Sequence, residues 1–260
     1  MHNTINNKTK GKMTKKTTIL ALAVLLAAGC AKENPTAGEA SVTFLVGIQS
    51  GEMPTKGVAE VLAGIVPSGS LQLTLRSTTN SQRIYQVTAG QPATIAIDTY
   101  QVTGQYTPAA PFICTRGQIY AEPRFSVSTS VAVDGNEEAI AVPVVWDCFA
   151  VVRDCSSVAS VQATNANASF EELTAWAGND DYKVAFVTCT SGWDANYALR
   201  LLVTPVDGVN YQPTTFRLVT TPVAGSISVR NGYWYEFSPE GVATRSGSLG
   251  LTFPEWTEGN

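Results

Sequence analysis

The sequence predicts an all-β protein, and three observations carry that expectation. Charged residues make up only 15% of the chain, while Thr, Ser, Val, Gly and Pro recur throughout, a composition of half-buried strands joined by turns. Val42, Phe44, Val46 and Ile48 alternate with Thr43, Leu45 and Gly47, the period of two that a pleat with one buried face requires. Clusters of Ser, Thr, Asn, Gly and Pro separate such runs at the spacing of antiparallel sandwiches. A chain of 260 residues has room for one large domain or two ordinary ones.

The first residues stand apart. Lys8, Lys10, Lys12, Lys15 and Lys16 carry all the charge before Gly29, and an unbroken apolar and small-residue run from Ile19 to Ala28 follows them. This order of basic, apolar and small residues marks a secretory signal over residues 1–29. The apolar run is about half the roughly 20 residues that span a bilayer core. A compact signal starting at Met13 fits as well as one starting at Met1. The segment ends in Ala27-Ala28-Gly29-Cys30, which resembles a bacterial lipobox, with Ala27 where the commonest pattern has Leu. The resemblance implies diacylglycerol on the Cys30 thiol, cleavage before it, and outer-membrane sorting, because Ala31 and not Asp follows. Two or more acyl chains anchor a protein firmly, whereas one binds marginally.

Removal of residues 1–29 alters the available chemistry. The lone histidine is His2, so the mature chain would have no imidazole for a Ser-His or Cys-His pair or for metal ligation. Five basic residues leave and no acidic ones, so 12 basic remain against 21 acidic, a net charge of −9. Such a body has no electrostatic reason to bind nucleic acid. No cofactor is expected.

Residues 31–40, rich in Lys, Glu, Asn, Pro and Gly, read as a polar tether behind Cys30. Strands are expected at 41–48, 71–76, 83–88, 94–97, 100–106, 118–120 and 125–133, then as one long strand over 140–152. Residues 155–167 are poor in large apolar side chains, which places a domain boundary there and divides the body into 41–155 and 156–260. Ser169 with Glu172 three residues on forms a capping box, and Phe170, Leu173 and Trp176 share one helical face, so a helix is expected. Strands resume at 183–190, 197–204, 214–221, 226–229, 233–237 and 248–253.

Several phrases read together: Ser41-Val-Thr-Phe-Leu-Val-Gly-Ile48, Thr55-Lys56-Gly57, Leu71-Gln-Leu-Thr-Leu-Arg76, Tyr100-Gln-Val-Thr-Gly-Gln-Tyr106, and the closing Asn231-Gly-Tyr-Trp-Tyr-Glu-Phe237 with Gly247-Ser-Leu-Gly-Leu251 and Trp256. They resemble the fimbrillin-like surface lipoproteins of Bacteroidota and related β-sandwich lipoproteins. The resemblance covers most of the mature chain as a strand rhythm. It implies two tandem Greek-key, transthyretin-like β-sandwiches behind a lipid anchor. In pilus-forming members a protease cuts after a basic residue beyond the first strand, and the vacated groove accepts a strand from the next subunit. Carried onto this chain, the cut follows Lys56 and the strand released is 41–48; otherwise Lys56 is an exposed turn residue. Strand addition works because an open sheet edge offers backbone donors and acceptors while alternate pockets select side chains.

Four cysteines remain in the body: Cys114, Cys148, Cys155 and Cys189. An oxidising compartment permits disulfides among them in three connectivities, and Cys148, sharing a pleat face with Trp146, Ala150 and Val152, reads equally as a small buried hydrophobe. No CxxC pair supports zinc. The adjacent carboxylates Glu137-Glu138, Glu171-Glu172 and Asp180-Asp181 fit solvated turns better than a glycosidase pair, and Asp134 to Glu138 reads as a hairpin turn before a calcium loop. Trp193 and Tyr235 are candidates for stacking on sugar rings, against the alternative that aromatic residues of a sandwich fill its core. Because Tyr233 and Tyr235 must oppose Trp234 on a strand, one side of it is expected to be wet.

The expectation is a non-enzymatic, cell-surface lipoprotein of the outer membrane. It acts as a pilus subunit, anchor or adhesin, with a membrane, other pilus subunits and host or glycan ligands as partners. The alternative is a glycan-binding lipoprotein of a polysaccharide uptake system.

Overall fold

A computed structural model describes residues 38–47, 60–62, 65, 67–164, 169–208, 210–238 and 241–246, all within the unit Pro35–Asn260. The signal segment, Cys30, Lys56, Trp256 and the strand expected at 248–253 lie outside the described residues. Nineteen strands are described. The first nine are β1 (Glu39–Gly47), β2 (Gln72–Ser77), β3 (Ile84–Thr88), β4 (Pro92–Ala96), β5 (Asp98–Tyr106), β6 (Phe112–Cys114), β7 (Gly117–Tyr120), β8 (Phe125–Val133) and β9 (Ala139–Trp146). The others are β10 (Phe149–Asp154), β11 (Val158–Thr164), β12 (Phe170–Glu172), β13 (Ala177–Gly178), β14 (Tyr182–Cys189), β15 (Leu199–Pro205), β16 (Thr214–Val219), β17 (Ile227–Ser228), β18 (Tyr233–Ser238) and β19 (Gly241–Ser246). The protein is all-β, and its sheets pack as sandwiches.

The first sheet has the order β3-β2-β5-β8-β9-β1-β4. Its turning point is β9, whose residues up to Pro143 pair with β1 and whose Val144 to Trp146 pair with β8. A strand that changes partners at a proline makes a sandwich corner, since proline offers no ladder donor. The sheet closes over one core in which Phe44, Leu73, Leu75, Tyr100, Val102, Phe125 and Val142 are buried.

The second sheet has the order β19-β18-β10-β14-β7-β6, with β13 added to β14, and a third has the order β12-β11-β15-β16-β17. The inner face of the second meets the third through Phe149, Val151, Ala185, Val187, Leu201, Val203 and Phe237. Its outer face carries Ala150, Val152, Val184, Phe186 and Trp234, covered by Val61, Leu62 and Ile65. Strands β10 and β14 are therefore apolar on both faces, which is why they read as continuous hydrophobic runs and not as alternations. Strands β6, β7 and β10 precede residue 155 and pair in a sheet whose other members follow it.

Three local expectations are corrected. The single strand expected over 140–152 is two, broken at Asp147 and Cys148, where the Asp147 amide and the Cys148 thiol both donate to the Arg124 carbonyl at 3.1 and 3.2 Å. Hydrophobicity runs through the break because the chain passes from one core directly into another. The segment 155–167, read as poor in large apolar side chains and without a strand, contains β11, the neighbour of β12 and β15, with Val158, Val161 and Ala163 fully buried. A register shift between Val158 and Ser160 puts two inward valines three residues apart, which hides the period of two. The helix expected from Ser169 is the edge strand β12, paired with β11, and the Leu173 amide continues the ladder to the Val161 carbonyl at 3.0 Å. An open edge on β11 outweighed a local capping signal.

Candidate functional site

The first strand is seated unusually. Inward-pointing Ala40, Val42 and Phe44 are buried, while Ser41, Thr43 and Leu45 on the other face are half-buried. Each large apolar side chain buried this way stabilises by about 1.5–3 kcal/mol. Backbone pairing is split between flanks: Glu39 to Thr43 pair antiparallel with β4, and Thr43 to Gly47 pair parallel with β9. Loop amides extend the ladder, Gly90 donating to the Phe44 carbonyl at 2.9 Å and Ile97 to the Gly38 carbonyl at 2.8 Å. Strand β1 thus bridges two strands, β4 and β9, that do not pair with each other in the sheet.

Beside the 60–65 segment lies an open groove of about 440 Å³ lined by Glu60, Val61, Ile65, Ala121, Glu122 and Ala177 among others. The Glu122 carboxylate accepts the Tyr106 hydroxyl at 2.5 Å and the Ser68 amide at 3.0 Å. These contacts fasten the return of the chain into β2.

Both aromatic residues expected to stack on sugars are core residues, which corrects that reading. Trp193 is 0% exposed, stands edge-on to Phe149, and donates its indole N–H to the Thr115 carbonyl at 2.9 Å. Tyr235 is 1% exposed, and its hydroxyl accepts the Arg230 amide at 2.9 Å. The expectation of one wet face on β18 also fails, because β18 lies between β10 and β19 and buries Tyr235 in one core and Trp234 in the other.

The four cysteines are free thiols, not disulfides. Pleat and strand length explain this. Cys148 and Cys155 bracket β10, roughly 23 Å of extended chain apart. Cys155 sits beside the start of β14, its amide donating to the Asp181 carbonyl, while Cys189 ends that strand. Cys114 and Cys189 face Gly117 from its two neighbouring strands, roughly 9.5 Å apart when a bridge needs about 7 Å or less between Cα atoms. Cys148 lies in the other core from Cys114. Burial pushes the Cys114 and Cys148 thiols up to about 12.

The carboxylate pairs sit in turns and on an edge. Asp134 caps its own hairpin, accepting the Asn136 amide at 2.9 Å, and Gly135 there adopts φ +85°; these Asn136 bonds hold the Asp134 carboxyl below its ordinary value. Asp180 and Asp181 occupy the turn between β13 and β14, where Asn179 Oδ1 accepts the Asp181 amide at 3.0 Å. Glu171 and Glu172 lie exposed on β12.

One cluster escaped sequence reading because it exists only through register. Arg200 on β15 is directly opposite Arg217 on β16. The adjoining loop carries Tyr197, whose ring is stacked by the Arg116 guanidinium 3.4 Å from its centroid. Arg116 is also the one non-glycine residue with positive φ, 57°, among the described residues. No signal in either strand's own sequence announces the pairing.

The architecture defines an all-β sandwich protein with one strand bridging two otherwise separate sheet edges. Solved structures similar to it include a candidate cell adhesion protein from Bacteroides uniformis, at 12% identity and TM-score 0.39, covering 86% of this chain and 100% of that one. The tip fimbrial protein Mfa3 from Porphyromonas gingivalis matches at 9% identity and TM-score 0.37, with coverage of 80% and 99%. A fimbrial assembly protein from Parabacteroides distasonis matches at 10% identity and TM-score 0.34, with coverage of 78% and 93%. No protein-family model matches the sequence, and no curated protein matches it at a significant level.

Proposed function

We propose that the chain is a non-enzymatic cell-surface lipoprotein of the fimbrillin-like kind, held at the outer membrane through lipid on Cys30. It acts as a pilus subunit, anchor or adhesin, and β1 is its exchangeable element. The observation that supports this reading most directly is the split seating of β1. Withdrawing one strand leaves the edges of β4 and β9 without a ladder and empties the positions of Val42 and Phe44. A second subunit's strand with apolar residues at alternate positions matches that vacancy by strand addition. Processing after Lys56 would separate β1 from Val61, Leu62 and Ile65, which stay packed on the second sheet. The remaining body therefore keeps its cover.

Mass spectrometry of the protein isolated from its native cells tests the proposal. A lipid-modified Cys30 terminus identifies the anchored form, and a Gly57 terminus identifies the processed, polymerising form. An unmodified chain starting at Met1 or Met13 overturns the surface assignment. Hydrolysis of a glycan or ester by the purified protein overturns the non-enzymatic reading.

A further inference from the structure

The outer face of the third sheet carries a feature that strand assembly does not use. Arg200 and Arg217 are directly opposed across β15 and β16, and like charges in that position destabilise a sheet. Neither has a carboxylate within ion-pair distance among the described residues. Arg200 is exposed, and Arg217 is steadied by donating to the Ala195 carbonyl. That carbonyl belongs to the loop holding Tyr197, 42% exposed, whose ring lies against Arg116. The Arg116 guanidinium has only a long contact to Asp194, 3.9 Å, and one to the Gly192 carbonyl at 3.4 Å. Within the loop, Asp194 Oδ1 accepts the Asn196 and Tyr197 amides at 2.7 and 3.2 Å.

Arg116 thus lies on the Tyr197 ring, Arg217 reaches the same loop at Ala195, and Arg200 stands opposite Arg217, three of the 12 basic residues that follow the leader in a body of net charge −9. Guanidinium forks match planar or tetrahedral oxyanions and stack on rings, and an aromatic face offers apolar contact beside them. We propose that Arg200, Arg217 and Arg116, together with the Tyr197 ring, bind an acidic polysaccharide through its carboxylate or sulfate groups. The anion relieves the opposed charges of Arg200 and Arg217, and Tyr197 packs against the adjoining sugar. The site differs from the buried Trp193 and Tyr235, and it stands whether or not the protein polymerises.

Affinity electrophoresis of the full chain in non-ionic detergent tests this, with heparin, polygalacturonate or neutral dextran cast in the gel. Retardation is expected in at least one acidic polymer and not in dextran; retardation in polygalacturonate shows that carboxylates suffice, and retardation in heparin without it assigns the contact to sulfate. The Arg200→Gln/Arg217→Gln double variant should bind at least tenfold more weakly, and exposed Arg200→Gln alone several-fold. Arg76→Gln, an exposed basic residue on β2, should change binding less than twofold. Tyr197→Ala should weaken polymer binding without altering competition by inorganic sulfate. Arg200→Gln alone should melt no lower than the wild type, since it removes the repulsion and leaves the bond from Arg217 to the Ala195 carbonyl in place. Absence of retardation in both acidic polymers, equal retardation in dextran, or unchanged binding by the folded double variant overturns the proposal.

Discussion

The Ser77 hydroxyl donates to the Asp98 carboxylate across 2.6 Å, joining the end of β2 to the start of β5. Thr79 adds a second hydroxyl at 2.7 Å, the Thr99 amide a third donor at 2.8 Å, and Arg83 an ion pair at 3.0 Å. The carboxylate side chain is 6% exposed and Arg83 35%. The Ser77 bond first, then Thr79, holds the Asp98 carboxyl at about 2, with the Thr99 amide and Arg83 acting in the same direction.

A carboxyl depressed in the folded state stabilises it above the unfolded value, near 4, and loses that contribution as pH falls toward about 2. The wild type should therefore lose melting temperature between pH 4 and pH 2, and Asp98→Asn should show a lower melting temperature at pH 7 with a flatter acid limb. Thermal melts across pH 2–7 check this. Parallel curves for the two proteins would refute it.

Phe44 fills the first core from β1 and is fully buried. Truncation to Ala should cost about 3–5 kcal/mol by chemical denaturation. If β1 is the exchangeable strand, hydrogen exchange in β1 and at the facing edges of β4 and β9 should accelerate most, with β14 unaffected.

Gly117 is packed where no side chain fits. A Cβ there would lie 2.6 Å from both the Thr188 carbonyl oxygen and the Trp193 ring, and 3.2 Å from the Cys114 sulfur. Gly117→Ala should destabilise by about 1–3 kcal/mol, an overpacking cost. Trp193 fluorescence during denaturation reads it, because the ring must shift.

The thiols offer a test that separates burial from bonding. Under non-reducing denaturing conditions all four body cysteines should alkylate. In the native state half-exposed Cys155 should react first, and Cys114 and Cys148, pushed up to about 12 by burial, last. A mass two hydrogens low, with two cysteines resistant to alkylation, would reveal a bridge and overturn the assignment of four free thiols.

The sequence by itself determined the class of the protein and most of its strands. Alternation in β1, β2, β5 and β8 is the direct imprint of a face turned to a core, and turn residues such as Gly135 mark where the chain reverses. Composition also removed histidine chemistry from any chain lacking residues 1–29. Only the tertiary structure decided which runs sit between two layers, where one strand ends and the next begins, and which residues meet across strands. The run from Ile140 to Val152 is apolar on both sides of Asp147, and one charged residue does not tell a break between two cores from a solvent-facing position in a single strand. Trp193 and Tyr235 have the same chemistry in a core as on a surface, and their burial depends on Phe149 and Gly117, which lie far away in sequence. The opposition of Arg200 and Arg217 follows from the register of β15 against β16, a long-range fit that no local pattern encodes.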